Sequence, residues 1–318
     1  MTHVEIDIVA VRDAAKRIAS FAHKTPVATC LSIDRIAGRS LFFKCEHLQK
    51  VGAFKFRGAC NAVMKLTDSD AECGVITHSS GNHAQALALA ARVRGIAAQI
   101  VMPTSASAIK RAAVLEYGAT VIDCAPTLEA RETSAARVQN KTGATFIHPY
   151  NNVDVIAGQG TVALELLEQV DDLDAIVAPI GGGGLISGIC VAAKNLKPGI
   201  RIFGAEPNGA DDAVRSKAAG QLIPQTNPKT IADGLLTSLG DLTWPYVRDQ
   251  VERIVTVSDD EIISAMRMAW QRAKLLIEPS AAITIAAALT ENVREEVDIR
   301  RVGVVLSGGN VDLDHLPW

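Results

Sequence analysis

Lys55 sits between Phe54 and Phe56 in the stretch VGAFKFRGA, residues 51–59, bounded by Gly52 and Gly58. Burial between aromatic rings disfavours an ammonium charge, lowers its pKa and exposes a nucleophilic amine suited to a Schiff base. A lysine that snorkels from a helix start, stem on the rings and amine in water, fits the same residues. Three glycine-rich turns offer further chemistry: SSGNHAQA (79–86) after GVITH, GGGGLISG (181–188) after DAIVAPI, and SGGN (307–310) after VGVVL. Four consecutive glycines before a helix let backbone N–H groups converge on an anion, aided by the field of the helix N-terminus. No Gly-Lys-Ser/Thr follows, which excludes a P-loop. Gly182, Gly184 and Gly188 also form a loose GxGxxxG, with Glu206 ending the next strand-like run as a ribose-binding acid could. A tight turn without ligand is the third reading of this loop.

The elements that must position these residues alternate along the chain. Strand-like runs at 74–79, 97–103, 119–125, 174–180, 201–207, 252–258 and 301–309 are separated by amphipathic or Ala-rich helical runs. Continuous apolar runs such as DAIVAPI and VGVVL are expected of parallel strands covered on both faces. Ligands in such folds bind beyond the carboxyl ends of the strands, where all three glycine turns fall. The stretch 220–235, GQLIPQTNPKTIADGL, is expected to be a long loop with a function. Net charge is −3, with 48% hydrophobic residues, so nothing points to nucleic acid or an acidic membrane surface. Six scattered cysteines without CxxC pairs, and no apolar run of transmembrane length, lead to the expectation of a soluble cytoplasmic protein.

A Schiff-base lysine, a phosphate cradle and two further polar glycine turns together describe pyridoxal phosphate, an aldehyde that carries a phosphate. The ordered set FKFRGA, SSGNHAQA, GGGGL, EPSAA and SGGN, with HKTPV near the start and AGQGT at 157–161, resembles the fold-type II family of serine/threonine dehydratases and serine racemases. The resemblance runs nearly end to end and is closest to the branch of serine racemases and threo-3-hydroxyaspartate dehydratases. It implies an α/β, tryptophan synthase β-like fold of two open, twisted, mainly parallel sheets with helices on both faces. It also implies a large cofactor domain (1–73 and 151–318), a small mobile domain (74–150), a homodimer and a candidate ATP effector.

Carried over by motif, Lys55 would be the Schiff-base lysine and Phe54 would flank the ring. Gly181, Gly182, Gly183 and Gly184, with Leu185, would hold the phosphate. Asn82 would bond the cofactor's 3′-oxygen, Ser307 would face the pyridine nitrogen and Gly234 would cover one ring face. Ser79, Ser80, Asn82 and His83 would bind the substrate carboxylate, His83 through backbone or ring. A neutral serine at the ring nitrogen suits β-elimination or two-base racemisation better than transamination. Ser80 would be the second base opposite Lys55; a carboxylate binder or a helix cap fits the same residue. Glu206, the Ala210 carbonyl and Asp212 would bind Mg²⁺, Ca²⁺ or Mn²⁺; a surface glutamate and an N-cap aspartate are the plain alternative. Arg131 and Thr237 could meet the substrate side chain. Tyr150 stands where mammalian-type racemases are expected to have asparagine. The expected activity is racemisation of serine with dehydration of L-serine to pyruvate and ammonia. Hydroxyaspartate or threonine dehydration is the alternative, and a nicotinamide-dependent oxidoreductase the remote one.

Overall fold

The computed structural model describes residues 6–318 except 107, 295 and 297. Ten strands are present among them: β1 (Val27–Ala28), β2 (Ser40–Lys44), β3 (Val75–His78), β4 (Ala98–Pro103), β5 (Thr120–Cys124), β6 (Thr145–Phe146), β7 (Ala175–Pro179), β8 (Arg201–Pro207), β9 (Arg253–Val257) and β10 (Arg301–Val305). They form a six-stranded sheet, ordered β1-β2-β10-β7-β8-β9, and a four-stranded sheet, ordered β5-β4-β3-β6. All pairings are parallel except β1 with β2.

Period-two geometry explains why β7 is apolar throughout. Ala175 and Val177 face one core, packed against the helix Pro279–Leu289. Ile176 and Ala178 face the other, against Val153–Gln169 and Gly184–Leu196. In the strand-like run ATFIHP (144–149) only Thr145 and Phe146 pair with β3, and the remainder is loop.

The helix Val153–Gln169 is clamped between Lys55–Lys65 and Gly184–Leu196. A Cβ on Gly158 would lie 2.6 Å from the Gly58 Cα, and one on Gly188 would lie 2.5 Å from the Gly160 nitrogen. Both glycines of AGQGT therefore serve helix packing, and so does Gly188. The stretch 221–232 has no helix or strand, as expected; Gly209 bonds Lys229, and Thr230 and Ile231 bond Asp259. Among the described residues no helix is long and apolar enough to cross a membrane.

Candidate active site

Three parallel strands end around one cleft of about 380 Å³. β3 leads into Ser79–Asn82, β7 into the four glycines, and β10 into Ser307. Lys55 enters at the start of its helix, after a turn in which Val51 and Gly52 have φ of 57° and 68°. That turn is stitched to SGGN: Phe54 N donates to Ser307 O at 3.0 Å and Gly309 N to Gly52 O at 2.9 Å.

The Lys55 amine donates to Pro149 O at 2.9 Å and lies 5.1 Å from the Phe54 ring centroid. Burial lowers its pKa to about 8. Phe56, the second flanking aromatic, turns away into the core. On the far side of the same helix, Arg57 is 1% exposed and donates to both carboxylate oxygens of Glu46 and of Glu165, at 2.7–2.8 Å. Lys44 completes this buried set through Glu165, Thr25 O and Gln169. Two cations and two anions balance there, and the bonds that join them are short and ionic.

The glycine turn is built for an anion. Gly183 has φ of 85°, and the helix Gly184–Leu196 begins without a side-chain cap. The N–H groups of Gly182, Gly183, Gly184 and Leu185 meet no acceptor among the described residues, although all four residues are buried. Buried donors without partners are costly, and a phosphate satisfies them. A Cβ on Gly182 would fall 2.3 Å from the Tyr150 ring, so only glycine fits beneath that ring. The cleft therefore fits pyridoxal phosphate: an amine whose pKa burial lowers and a cradle of open N–H groups.

Phe54, Ser79, Ser80, Asn82, His83 and Arg131 all line this cleft. The glycines 181–184, Leu185, Gly234 and Ser307 line it as well. Asn82 donates to Glu278 Oε1 and accepts from Asn310 Nδ2, both at 2.9 Å. Gly234 N donates to Ser280 Oγ at 2.9 Å, and Ser307 Oγ donates to Ser280 O at 3.2 Å. His83 is held through Nε2 on Ile147 O, 3.2 Å away, with its pKa well below the usual value through burial and then the Lys55 charge. The ring is thus fixed by the backbone of Ile147, 64 residues along the chain. Arg131 makes no side-chain hydrogen bond or ion pair among the described residues, whereas Lys110 is paired with Asp233 across the mouth. Tyr150 lines the cleft with Thr237, and burial raises its pKa.

Glu206, Ala210 and Asp212 lie together outside the cleft lining, at the end of β8 and the start of the helix Asp212–Ala219. All are buried. Glu206 accepts from Ala213 N and Val214 N, and Asp212 from Leu239 N. Burial pushes Glu206 to about 8 and Asp212 to about 6, and the Asp212 charge adds to the Glu206 shift. Two desolvated carboxylates near one another are hard-oxygen donors of the kind a divalent cation favours.

Sequence reasoning left out Glu278, Lys110, Asp233 and the loop that presents Pro149 O. That loop is held by His148, whose Nδ1 accepts from Tyr150 N and Asn151 N; burial lowers its pKa to about 4. The signal for Glu278 was its place in EPSAA, a carboxylate just ahead of a proline that opens a helix.

The chain matches the description "Pyridoxal-phosphate dependent enzyme" over residues 18–308. It is 55% identical to a serine racemase of Arabidopsis thaliana, covering 98% of this chain and 95% of the relative. It is 50% identical to a beta-hydroxyaspartate dehydratase of Paracoccus denitrificans, covering 96% of each. The structure of maize serine racemase superposes with a TM-score of 0.96 at 51% identity, covering 97% of this chain and 94% of that one. These matches overturn the nicotinamide reading of the 182–188 glycines, in line with the packing role of Gly188. The chain belongs to the pyridoxal-phosphate dependent enzymes of fold type II.

Proposed function

We propose that the protein is a serine racemase that also dehydrates L-serine to pyruvate and ammonia. The observation that carries this reading is a cleft lined by both a desolvated lysine, Lys55, and the serine pair 79–80, beside an open anion cradle. Similarity to serine racemases over nearly the whole chain supports it. When bound, pyridoxal phosphate supplies an aldehyde that condenses with amines and a ring that withdraws electrons from Cα.

The chain's own residues do the rest. Gly181, Gly182, Gly183, Gly184 and Leu185 would hold the phosphate by N–H groups; Phe54 and Gly234 would flank the ring, Asn82 would donate to its 3′-oxygen and Ser307 would meet its nitrogen. Ser79, Asn82 and the N–H of His83 bind the substrate carboxylate at a helix start. Lys55 takes the α-proton. Loss of the β-hydroxyl as water leaves a three-carbon enamine, which one water molecule hydrolyses to pyruvate and ammonia. Return of a proton to the opposite face of Cα by Ser80 gives D-serine. Residues 74–150 act as a small domain that closes on the large one (1–73 and 151–318) and excludes water. Glu206, the Ala210 carbonyl and Asp212 would hold Mg²⁺, Ca²⁺ or Mn²⁺ in a structural role. The assembly is a cytoplasmic homodimer, with ATP as a candidate effector.

A second reading rests on Arg131. Its guanidinium faces the cleft without a partner among the described residues, which suits a substrate with a side-chain carboxylate. Dehydration of L-threo-3-hydroxyaspartate is then the main reaction.

Incubation with L-serine and with L-threo-3-hydroxyaspartate, in pyridoxal phosphate and Mg²⁺, separates the two. D-serine beside pyruvate is expected, with D-serine lost by at least about a hundredfold, and elimination retained, in Ser80→Ala. Oxaloacetate formed much faster than any serine product, without D-serine, would establish the Arg131 reading instead.

A further inference from the structure

Glu278 is buried at the wall of the cleft, and no step above uses it. Its two oxygens have separate duties. Oε1 accepts from Asn82 Nδ2 at 2.9 Å, and Oε2 from Asn310 N at 3.0 Å. The Asn310 side chain closes the ring: its Nδ2 donates to Asn82 Oδ1 at 2.9 Å and to Val51 O at 2.7 Å. The partners span the molecule, with Asn82 at the start of the helix after β3, Glu278 ahead of Pro279–Leu289 and Asn310 in the turn after β10.

The surrounding backbone is shaped to admit this carboxyl group. A Cβ on Gly308 would sit 2.5 Å from Glu278 Oε1, and one on Gly52 would sit 2.6 Å from Asn310 Oδ1. The glycines of SGGN and of the Lys55 turn thus leave room for the network. Glu278 N also donates to Gly308 O at 3.1 Å.

An asparagine amide has one acceptor oxygen and two N–H donors. Asn310 occupies the oxygen of Asn82, and Glu278 takes one N–H. An amide flip would set Asn82's NH₂ against the Asn310 donor and its oxygen against the Glu278 carboxylate, so one orientation is allowed. The second N–H is then left over for the cleft. We propose that Glu278 and Asn310 are positioning residues that lock the Asn82 amide, so that its remaining N–H is aimed at the 3′-oxygen of the bound cofactor. The inference rests on the role given to Asn82 above.

A hydrogen bond to that oxygen favours its ionised form, which absorbs at longer wavelength than the neutral form. Glu278→Gln keeps the shape but puts an NH₂ against one of two donors. The ratio of long- to short-wavelength absorbance of the holoenzyme should fall about tenfold, the scale of one hydrogen bond to a charged group. Asn310→Ala should move the ratio in the same direction, and serves alone if Glu278→Gln does not fold. Asn82→Ala should abolish the ratio's response to Glu278→Gln, because the effect acts through that amide. Titration of the apoprotein with pyridoxal phosphate and its melting temperature separate cofactor affinity from folding. An unchanged ratio in Glu278→Gln and Asn310→Ala would overturn the proposal, as would an equal further shift in the Asn82→Ala background. Absence of any Lys55-dependent visible band in the wild type would overturn instead the reading on which it rests.

Discussion

An amine with little water around it gives up its proton more readily, and Lys55, half-buried in the cleft, is such an amine. Its pKa of about 8 in the fold lies below the ordinary value of 10.5. The unfolded chain therefore binds an extra proton between those values, and apoprotein stability should rise with pH from about 8 to 10.5. Below about 8 the full penalty applies, on the order of 3 kcal/mol. Melting curves across this window should show the rise in the wild-type apoprotein and a flatter profile in Lys55→Ala. Lys55 was legible because two aromatics flank it, yet only Phe54 shares its surroundings; Phe56 is core. Glu278 was hidden for the opposite reason. Its partners lie 196 and 32 residues away, at Asn82 and Asn310, a distance that no local pattern crosses.

At the scale of elements, what sets Lys55 in place is the back of its own helix. Arg57 stands two residues on, bonded to Glu46 and Glu165, with Lys44 on Glu165. Arg57→Met should destabilise the protein by about 3–5 kcal/mol, since it strands two buried carboxylates against one lysine. Denaturant unfolding of the apoprotein measures this without the cofactor. The ionic set was not legible in sequence, because charged residues are assumed to be solvated until a fold encloses them. The alternation of strands and helices was legible, since each strand's apolar run has to be covered on both faces. AGQGT was recognised by resemblance, and its physical reason is contact: Gly158 meets the Lys55 helix and Gly160 the Gly184 helix.

For the whole molecule, the buried Glu206–Ala210–Asp212 set joins the end of β8 to Leu239, which touches the glycine turn. Chelation of divalent cations should lower the melting temperature by several degrees, the response to a change of about 1–2 kcal/mol in a chain this size. Added Mg²⁺ should restore it, and Asp212→Ala should be insensitive to both; equal melting temperatures with and without chelator in the wild type would remove the metal from the account. Sheet order was not legible, because it is fixed by pairings between distant segments. The last strand, β10, is seated between β2 and β7, in the interior of the six-stranded sheet. Synthesis therefore delivers the keystone of that sheet last. While the ribosome still holds the C-terminal segment, β2 and β7 have no shared neighbour, yet β3, β4, β5 and β6 have all emerged and can pair. The smaller sheet can form before β10 has emerged, and the larger one, with the cofactor turn after β10, must wait for that strand.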